Sequence, residues 1–207
     1  MPRKPQQSRA RATVAAIVDA GFISLARHGI EGTTTRHIAE IAGISIGSLY
    51  EYFANKQEVM DAMYQRVVAD VVAMIQPLTP HLVKMEIRDA VRTLLYEFRE
   101  LLLRDDGRYL QYARHAMNVA HRDNLEPINK MLLDLVMQYV LHRPEVARMQ
   151  NIPVMSYIII NGGMFAVIRH LGERNPMISF DQLAEGLVDM VGYVVEGELA
   201  RQDRHNN

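Results

Sequence analysis

The sequence predicts an all-α protein: a small three-helix unit at the amino terminus, followed by a larger helical domain. Three observations carry this expectation. Apolar residues recur at the 3.6-residue period over long segments, and no alternating apolar stretch bounded by hairpin signals occurs anywhere. A pair of short helices joined by a tight turn is packed into residues 33–56. A chain of 207 residues is long enough for a small unit packed on a larger one. The divisions expected are a flexible basic arm at 1–10, the three-helix unit at 11–56, the larger domain at 57–200 and a disordered tail at 201–207.

Helix 1 is expected from about Ser8 or Arg11 to Arg27, with Val14, Ile17, Val18, Phe22 and Leu25 on one face and Gly29 ending it. In the pair that follows, Thr33 or Thr34 can cap the first helix. Ile38 and Ile41 supply its buried face, and Ala39 and Ala42 keep it slim. Gly43 stands where a helix stops, because glycine takes the left-handed conformation without steric cost. Ser45 can cap the second helix. Leu49 and Phe53, four apart, point into the core and leave Ile46, Gly47, Ser48 and Tyr52 near the other face. This is the logic of a helix-turn-helix, whose first helix crosses the DNA backbone while the second enters the major groove.

At these residues the chain resembles the tetracycline-repressor-like (TetR) family of bacterial transcription regulators. The family pattern GxxxTTxRxIAxxAGxSxGxLYxxFxxK is met by Gly29, Thr33, Thr34, Arg36, Ile38, Ala39, Ala42, Gly43, Ser45, Gly47, Leu49, Tyr50, Phe53 and Lys56. His37 stands where the family often has an acid, and Ile46 where a polar or basic side chain is common. Those departures bear on the operator sequence and leave the fold untouched. The resemblance implies that Tyr50, Tyr52 and Lys56 contact backbone phosphates. It also implies that the larger domain senses a small molecule, and that the last two long helices pair with their copies as a four-helix dimer interface. Repression rather than activation likewise rests on the resemblance.

Further along, Asn55 to Glu58 form an approximate capping box opening helix 4, whose stripe runs through Val59, Met63, Val67 and Val71 toward Ile75. Pro77 and Pro80 are expected to stop it. Ile87, Val91, Leu94, Phe98 and Leu101 make one face of helix 5, which ends before the polar run Arg104 to Gly107. Helix 6 should follow from about Arg108 to His121. Asn124 can cap helix 7, with Pro127 tolerated in its first turn. Pro144 and Pro153 bracket a short segment where a separate helical turn can form. The stretch from Ile152 to Ile168 is apolar almost all round, but reads as too short and too interrupted to span a bilayer, which takes roughly 20 apolar residues. One face is expected to meet its own core and the other a second subunit. Ser179 with Gln182 forms a capping box for the last helix, where Gly186 and Gly197 suit close packing.

Composition narrows the chemistry. Zero cysteines exclude disulfides, thiolate metal sites and cysteine nucleophiles. The basic amino terminus lacks the apolar core of a signal peptide, so a cytoplasmic protein without a membrane partner is expected. Residues 1–56 carry seven Lys and Arg against four acids, whereas the remainder carries 16 against 20. Arg3, Lys4, Arg9 and Arg11 form an arm that either tracks phosphate or only aids solubility. Gly43 to Gly47 match the G-x-S-x-G nucleophile elbow, but that elbow needs a preceding strand, and here a helix precedes it. His115 and His121 share an expected helix at a spacing of six, which does not place both on one ligand face. No catalytic residues, metal or cofactor are expected.

The candidate DNA contacts are Thr33, Thr34 and Thr35 with the amides opening helix 2, where an anion is favoured, and Arg36, which can reach a phosphate or a guanine edge. On helix 3, Ser45, Ile46, Gly47 and Ser48 are placed for base edges, with Ile46 suited to a thymine methyl. For Tyr50 an alternative stands, with the ring in the small core and only its hydroxyl outside. A symmetric dimer on a pseudo-palindromic operator is expected, because one such unit reads only a few base pairs. Candidates for an effector pocket are Leu94, Phe98, Met117, Met131, Leu135, Tyr157, Asn161 and Phe165, with thirteen methionines in the chain suiting varied apolar ligands. The lone amide of Asn161 must find a partner, whether a ligand, a backbone carbonyl or its own copy. The rival readings are an enzyme built on helices and an interaction module that binds protein.

Overall fold

The computed structural model of the chain describes residues 5–118 and 126–205. Among these residues there is no strand, and the helices run in the order α1 (Pro5–Gly32), α2 (Thr35–Ala42), α3 (Ile46–Tyr50), α4 (Lys56–Leu82), α5 (Ile87–Asn118), α6 (Glu126–His142), α7 (Pro144–Ala147), α8 (Ile152–Leu171) and α9 (Phe180–His205).

Local chemistry sets most of the boundaries. Thr34, not Thr33, caps α2: its backbone is extended and its hydroxyl accepts from the His37 amide at 3.2 Å. Gly43 ends α2 at φ 68°, ψ 30°, and its amide bonds back to the Glu40 carbonyl at 3.2 Å. Ser45 caps α3 by accepting from the Ser48 amide at 3.0 Å. The box opening α4 is offset by one residue from the usual form. Asn55 accepts from the Glu58 amide at 3.0 Å, and Glu58 accepts from the Ala54 amide at 2.8 Å. Ser179 and Gln182 close a reciprocal box at 3.1 and 2.8 Å before α9.

Several boundaries differ from those expected. α1 begins at Pro5, inside the stretch expected as a flexible arm, because a proline in the first turn forfeits no intrahelical bond. Arg9 and Arg11 therefore sit on a helix, while Arg3 and Lys4 lie outside the described residues. Gly29 breaks α1 as expected, with φ 68°, and a further short turn closes at Gly32. α4 is not stopped by Pro77 and Pro80 but passes both to Leu82. Each proline orphans a carbonyl one turn back, on Ala73 and Gln76, and both residues are exposed, so water replaces the lost amide. α5 leaves helical geometry from Arg104 to Gly107, with positive φ at Asp105, Asp106 and Gly107, so the polar run separates two helical halves as expected. The second half is described to Asn118; Asn124 and the rest of 119–125 lie outside the described residues. α9 continues past Arg201 to His205, supported by an Arg201–Glu198 pair at 2.8 Å, where a disordered tail was expected.

Packing joins these elements around one apolar core. α1 packs on α2, α4 and α5, and α4 continues from the small unit onto α5 and α6. Ile17, Phe22, Ile38, Leu49, Val59 and Met63 are buried in the small unit. Its core does not end there, since the Phe22 ring lies 5.1 Å from Tyr109 and 5.6 Å from Tyr112 on the second half of α5. Gly21 lets α1 close on α4, because a methyl group there would lie 2.6 Å from the Met63 sulfur.

α8, at 20 residues and mean hydropathy 1.5, is long and apolar enough to cross a bilayer by length and composition, as is the segment Ser8–Gly32 of α1. The expectation that α8 is too short is thus corrected. Its glycines, Ser156 and Asn161 do not interrupt the helix. One side of α8 packs on α5, α6 and α9, burying Ser156, Val167 and Ile168.

Candidate DNA interface and effector cavity

The turn between α2 and α3 presents a compact polar surface. Ile46 is 41 % exposed at the first position of α3, followed by exposed Gly47, while Ser48 is tied to Ser45 through a 2.9 Å hydroxyl contact. Tyr50 is 51 % exposed, and its hydroxyl lies 3.2 Å from the Thr35 hydroxyl. The Tyr50 ring is therefore not in the small core, and the contact ties α3 to the start of α2. Tyr52 is exposed in the turn after α3. Leu49 and Phe53 are buried, as expected of core residues.

Arg36 projects from α2 with its Nε 3.1 Å from Glu40, a solvent-exposed pair weak enough to be exchanged for a phosphate or a base. Lys56 donates to the Ile30 carbonyl at 3.1 Å, so its ammonium is anchored to the last turn of α1. Thr33 departs from expectation. It is 1 % exposed, and its hydroxyl donates to the Gly29 carbonyl at 2.7 Å and accepts from Ser24 at 3.3 Å. That hydroxyl stabilises the broken end of α1 and does not face solvent, so only Thr34 and Thr35 remain at the opening of α2. His37 lies 3.0 Å from the Gly32 carbonyl and stacks on His28 at 4.6 Å. A residue unusual for the resembled family thus belongs to the α1–α2 junction.

The larger domain holds a partly open cavity of about 250 Å³ between α4, α5, α6, α8 and α9. Of the residues expected to line it, Leu94, Phe98 and Leu135 do. Met131 packs in the neighbouring core instead, and the Met117 side chain lies outside the described residues. Tyr157, Asn161 and Phe165 are corrected: all three lie off the cavity, Tyr157 and Phe165 on the outer stripe of α8 at 64 % and 51 % exposed, and Asn161 half-buried against Asn129 of α6. The side of α8 that faces the cavity carries Ser156, Ile159, Ile160, Gly163 and Met164. Asn161 resolves its own need locally, donating to the Tyr157 carbonyl at 2.8 Å and accepting from Asn129 at 3.4 Å. The sequence also missed Val71, Met74, Ile75 and Tyr139 as lining residues. The α4 stripe was legible as buried, but periodicity cannot tell a core from a cavity wall.

The Tyr139 hydroxyl at the cavity wall donates to the Met85 carbonyl at 3.2 Å, and burial raises the phenol above its usual range. Between cavity and reading unit stands a charged and aromatic junction. Arg108 donates to Asp19 of α1 at 3.2 Å and pairs with Asp105 at 2.7 Å, while the Tyr109 hydroxyl donates to Asp70 of α4. Burial, followed by that hydrogen bond, pushes Tyr109 up to about 12.

On the outer side, Val154, Tyr157, Ile158 and Phe165 of α8 and Met190 and Tyr193 of α9 form exposed apolar stripes. A methyl group at Gly162, Gly186 or Gly197 would meet no atom within 4 Å, so these positions leave room for close approach by another surface. Among the described residues no group of three His, Cys, Asp or Glu could hold a metal.

An exposed short helix on a capped two-helix turn is joined through α4 to a separate apolar cavity, the arrangement expected of a DNA-binding unit carried on a second helical domain. Residues 17–63 match the family of bacterial regulatory proteins, tetR family. The whole fold resembles that of a transcriptional regulator from Pseudomonas aeruginosa PAO1, with TM-score 0.72 at 16 % identity over 96 % of both chains. It also resembles the fatty acid degradation regulator FadR from Bacillus halodurans, with TM-score 0.67 at 17 % identity, covering 92 % of this chain and 96 % of that one. In sequence the chain is 23 % identical over 145 residues to the nucleoid occlusion factor SlmA of Haemophilus ducreyi, covering 68 % of this chain and 67 % of that protein. Residues 17–63 thus match the DNA-binding unit of the tetR regulators, and the fold of the chain is similar to that of the regulators compared.

Proposed function

We propose that the chain is a cytoplasmic repressor that binds a pseudo-palindromic operator as a dimer and is released when a small apolar effector enters the larger domain. The observation that carries this reading is the shared helix α4. Val71, Met74 and Ile75 border the cavity, and the same helix begins at Lys56 beside the reading unit. A ligand that alters the cavity walls thereby acts on the orientation of α3.

In this reading residues 11–56 are the DNA-binding domain and 57–200 the effector-binding and dimerisation domain. Ser45, Ile46, Gly47 and Ser48 face base edges. Thr34, Thr35, Arg36, Tyr50, Tyr52 and Lys56 hold phosphates, with Arg36 also able to reach a guanine. The outer faces of α8 and α9 meet their copies around a two-fold axis and set the recognition helices about 34 to 36 Å apart, one turn of DNA. The Arg108 Nε is buried without an acceptor, a cost that a second arrangement of the α1–α5 junction could relieve. Ligand and DNA then each favour one arrangement and weaken the other's binding by the same factor.

The test is selection of duplexes from a random pool by the purified protein, followed by release from the selected operator by a panel of apolar compounds. Enrichment of an inverted repeat, bound with a steep salt dependence and released by a panel member, is the expected result. Salt-insensitive binding without an inverted repeat would sink the reading.

A further inference from the structure

The cavity has a distinct chemistry on one wall. Among the described residues no Lys, Arg, His, Asp or Glu lines it, and that lining is aliphatic, aromatic, glycine or methionine apart from two hydroxyls. The Tyr139 hydroxyl is already committed to the Met85 carbonyl. Ser156 is the other. It is 9 % exposed, lies on the cavity side of α8, and no side-chain hydrogen bond ties it to another described residue. A hydroxyl that faces an apolar cavity without a protein partner favours a ligand atom able to pair with it over a purely apolar one.

We infer that the effector is an uncharged, largely apolar molecule carrying one hydrogen-bonding group, such as an alcohol, ketone or ester, which meets the Ser156 hydroxyl. This rests on the effector reading above and adds the ligand's chemical class. A carboxylate or ammonium would meet no counter-charge among the described lining residues, and would exchange hydration for a single hydroxyl. An alkane would fill the space and leave Ser156 unpaired. A dry cavity of about 150 Å³ accepts benzene, so by proportion this one holds about ten non-hydrogen atoms. Met74, Met149, Met155 and Met164 in the wall can adapt to the shape of the apolar body.

The test uses the full-length protein without DNA and four probes of matched length: nonanol, nonane, nonanoate and nonylammonium. Calorimetry or ligand-induced thermal shift at neutral pH reads each affinity. Nonanol is expected to bind at least tenfold tighter than either charged probe. Ser156→Ala is expected to weaken nonanol by about five- to tenfold while leaving nonane unchanged, with Ser156→Cys intermediate. Gly163→Leu, which places a side chain at a cavity-lining position where a methyl meets no atom within 4 Å, is expected to weaken nonanol and nonane alike. Melting of each ligand-free variant checks that it folds.

Equal affinity for nonanoate and nonanol would overturn the inference. So would an unchanged preference for nonanol over nonane in Ser156→Ala, or binding of none of the four probes. Because no operator is present, these failures are separate from failure of the repressor reading, which is judged by operator release alone.

Discussion

Arg108, the first residue after the break in α5, donates to Asp19 of α1 across 3.2 Å, and its guanidinium carbon lies 5.8 Å from the centre of the Phe22 ring. Asp19 is also 3.7 Å from Arg66 of α4. Three helices thus meet at one carboxylate. One carries the reading unit, one carries the cavity wall, and α4 belongs to both.

If this junction transmits the effector signal, Asp19→Asn should leave operator affinity within about threefold and reduce the effector-induced change in that affinity by about tenfold. The partners are half-exposed, so the stability lost should stay near 1 kcal/mol or below. Fluorescence anisotropy of a labelled operator, with and without effector, reads both quantities. Undiminished release in the variant would assign the signal to α4 alone.

Ile46 should set preference at one position of each half-site. Replacing it with Ala or Asn is expected to cost roughly 1 kcal/mol against the preferred base pair and little against the alternatives. Arg36→Ala gives a contrasting result if it holds a phosphate: weaker binding to all sequences, with the salt slope reduced by about 1. Selection and salt titration on each variant separate the two patterns, and a uniform loss for Ile46 variants would mean that it only positions α3.

Phe165 and Tyr193 are exposed apolar rings on the outer stripes of α8 and α9. Phe165→Glu is expected to shift a dimer to monomer and to abolish tight operator binding while leaving the monomer folded, because the ring has little contact with its own core. Sedimentation at micromolar protein, with circular dichroism as the control, checks it. A monomeric parent protein would defeat the paired-reading mechanism.

His115 on the second half of α5 is held below its ordinary value of 6.5 by burial, with a further lowering from Lys56 opposed by Glu31. The unfolded chain therefore takes up this proton before the folded one. Stability should be full above about pH 7.5 and fall as the pH drops through 6.5, until the folded histidine is itself protonated. Urea denaturation of wild type and His115→Gln between pH 8 and 5 should show a shallower acid loss in the variant.

Sequence alone settled what is local. Thr34, Gly43, Ser45, Asn55 and Ser179 act through atoms within a turn of themselves, so the tight turn and the starts of α2, α3, α4 and α9 are legible in the order of the residues, whereas α1 begins earlier than expected, at Pro5. The break of α5 at its polar run is legible for the same reason. What the tertiary structure decided is which side of a uniformly apolar helix faces which neighbour. On α8 the stripes of Tyr157, Asn161 and Phe165 and of Ser156, Ile160 and Gly163 are about equally apolar, and no periodicity separates them. Only packing against α5, α6 and α9 turned the second inward. Tertiary contacts likewise buried Thr33 against Ser24, tied Lys56 to Ile30 and left Ser156 facing an apolar cavity. Each of these depends on a partner distant along the chain or on the space between helices, and single-sequence patterns encode neither.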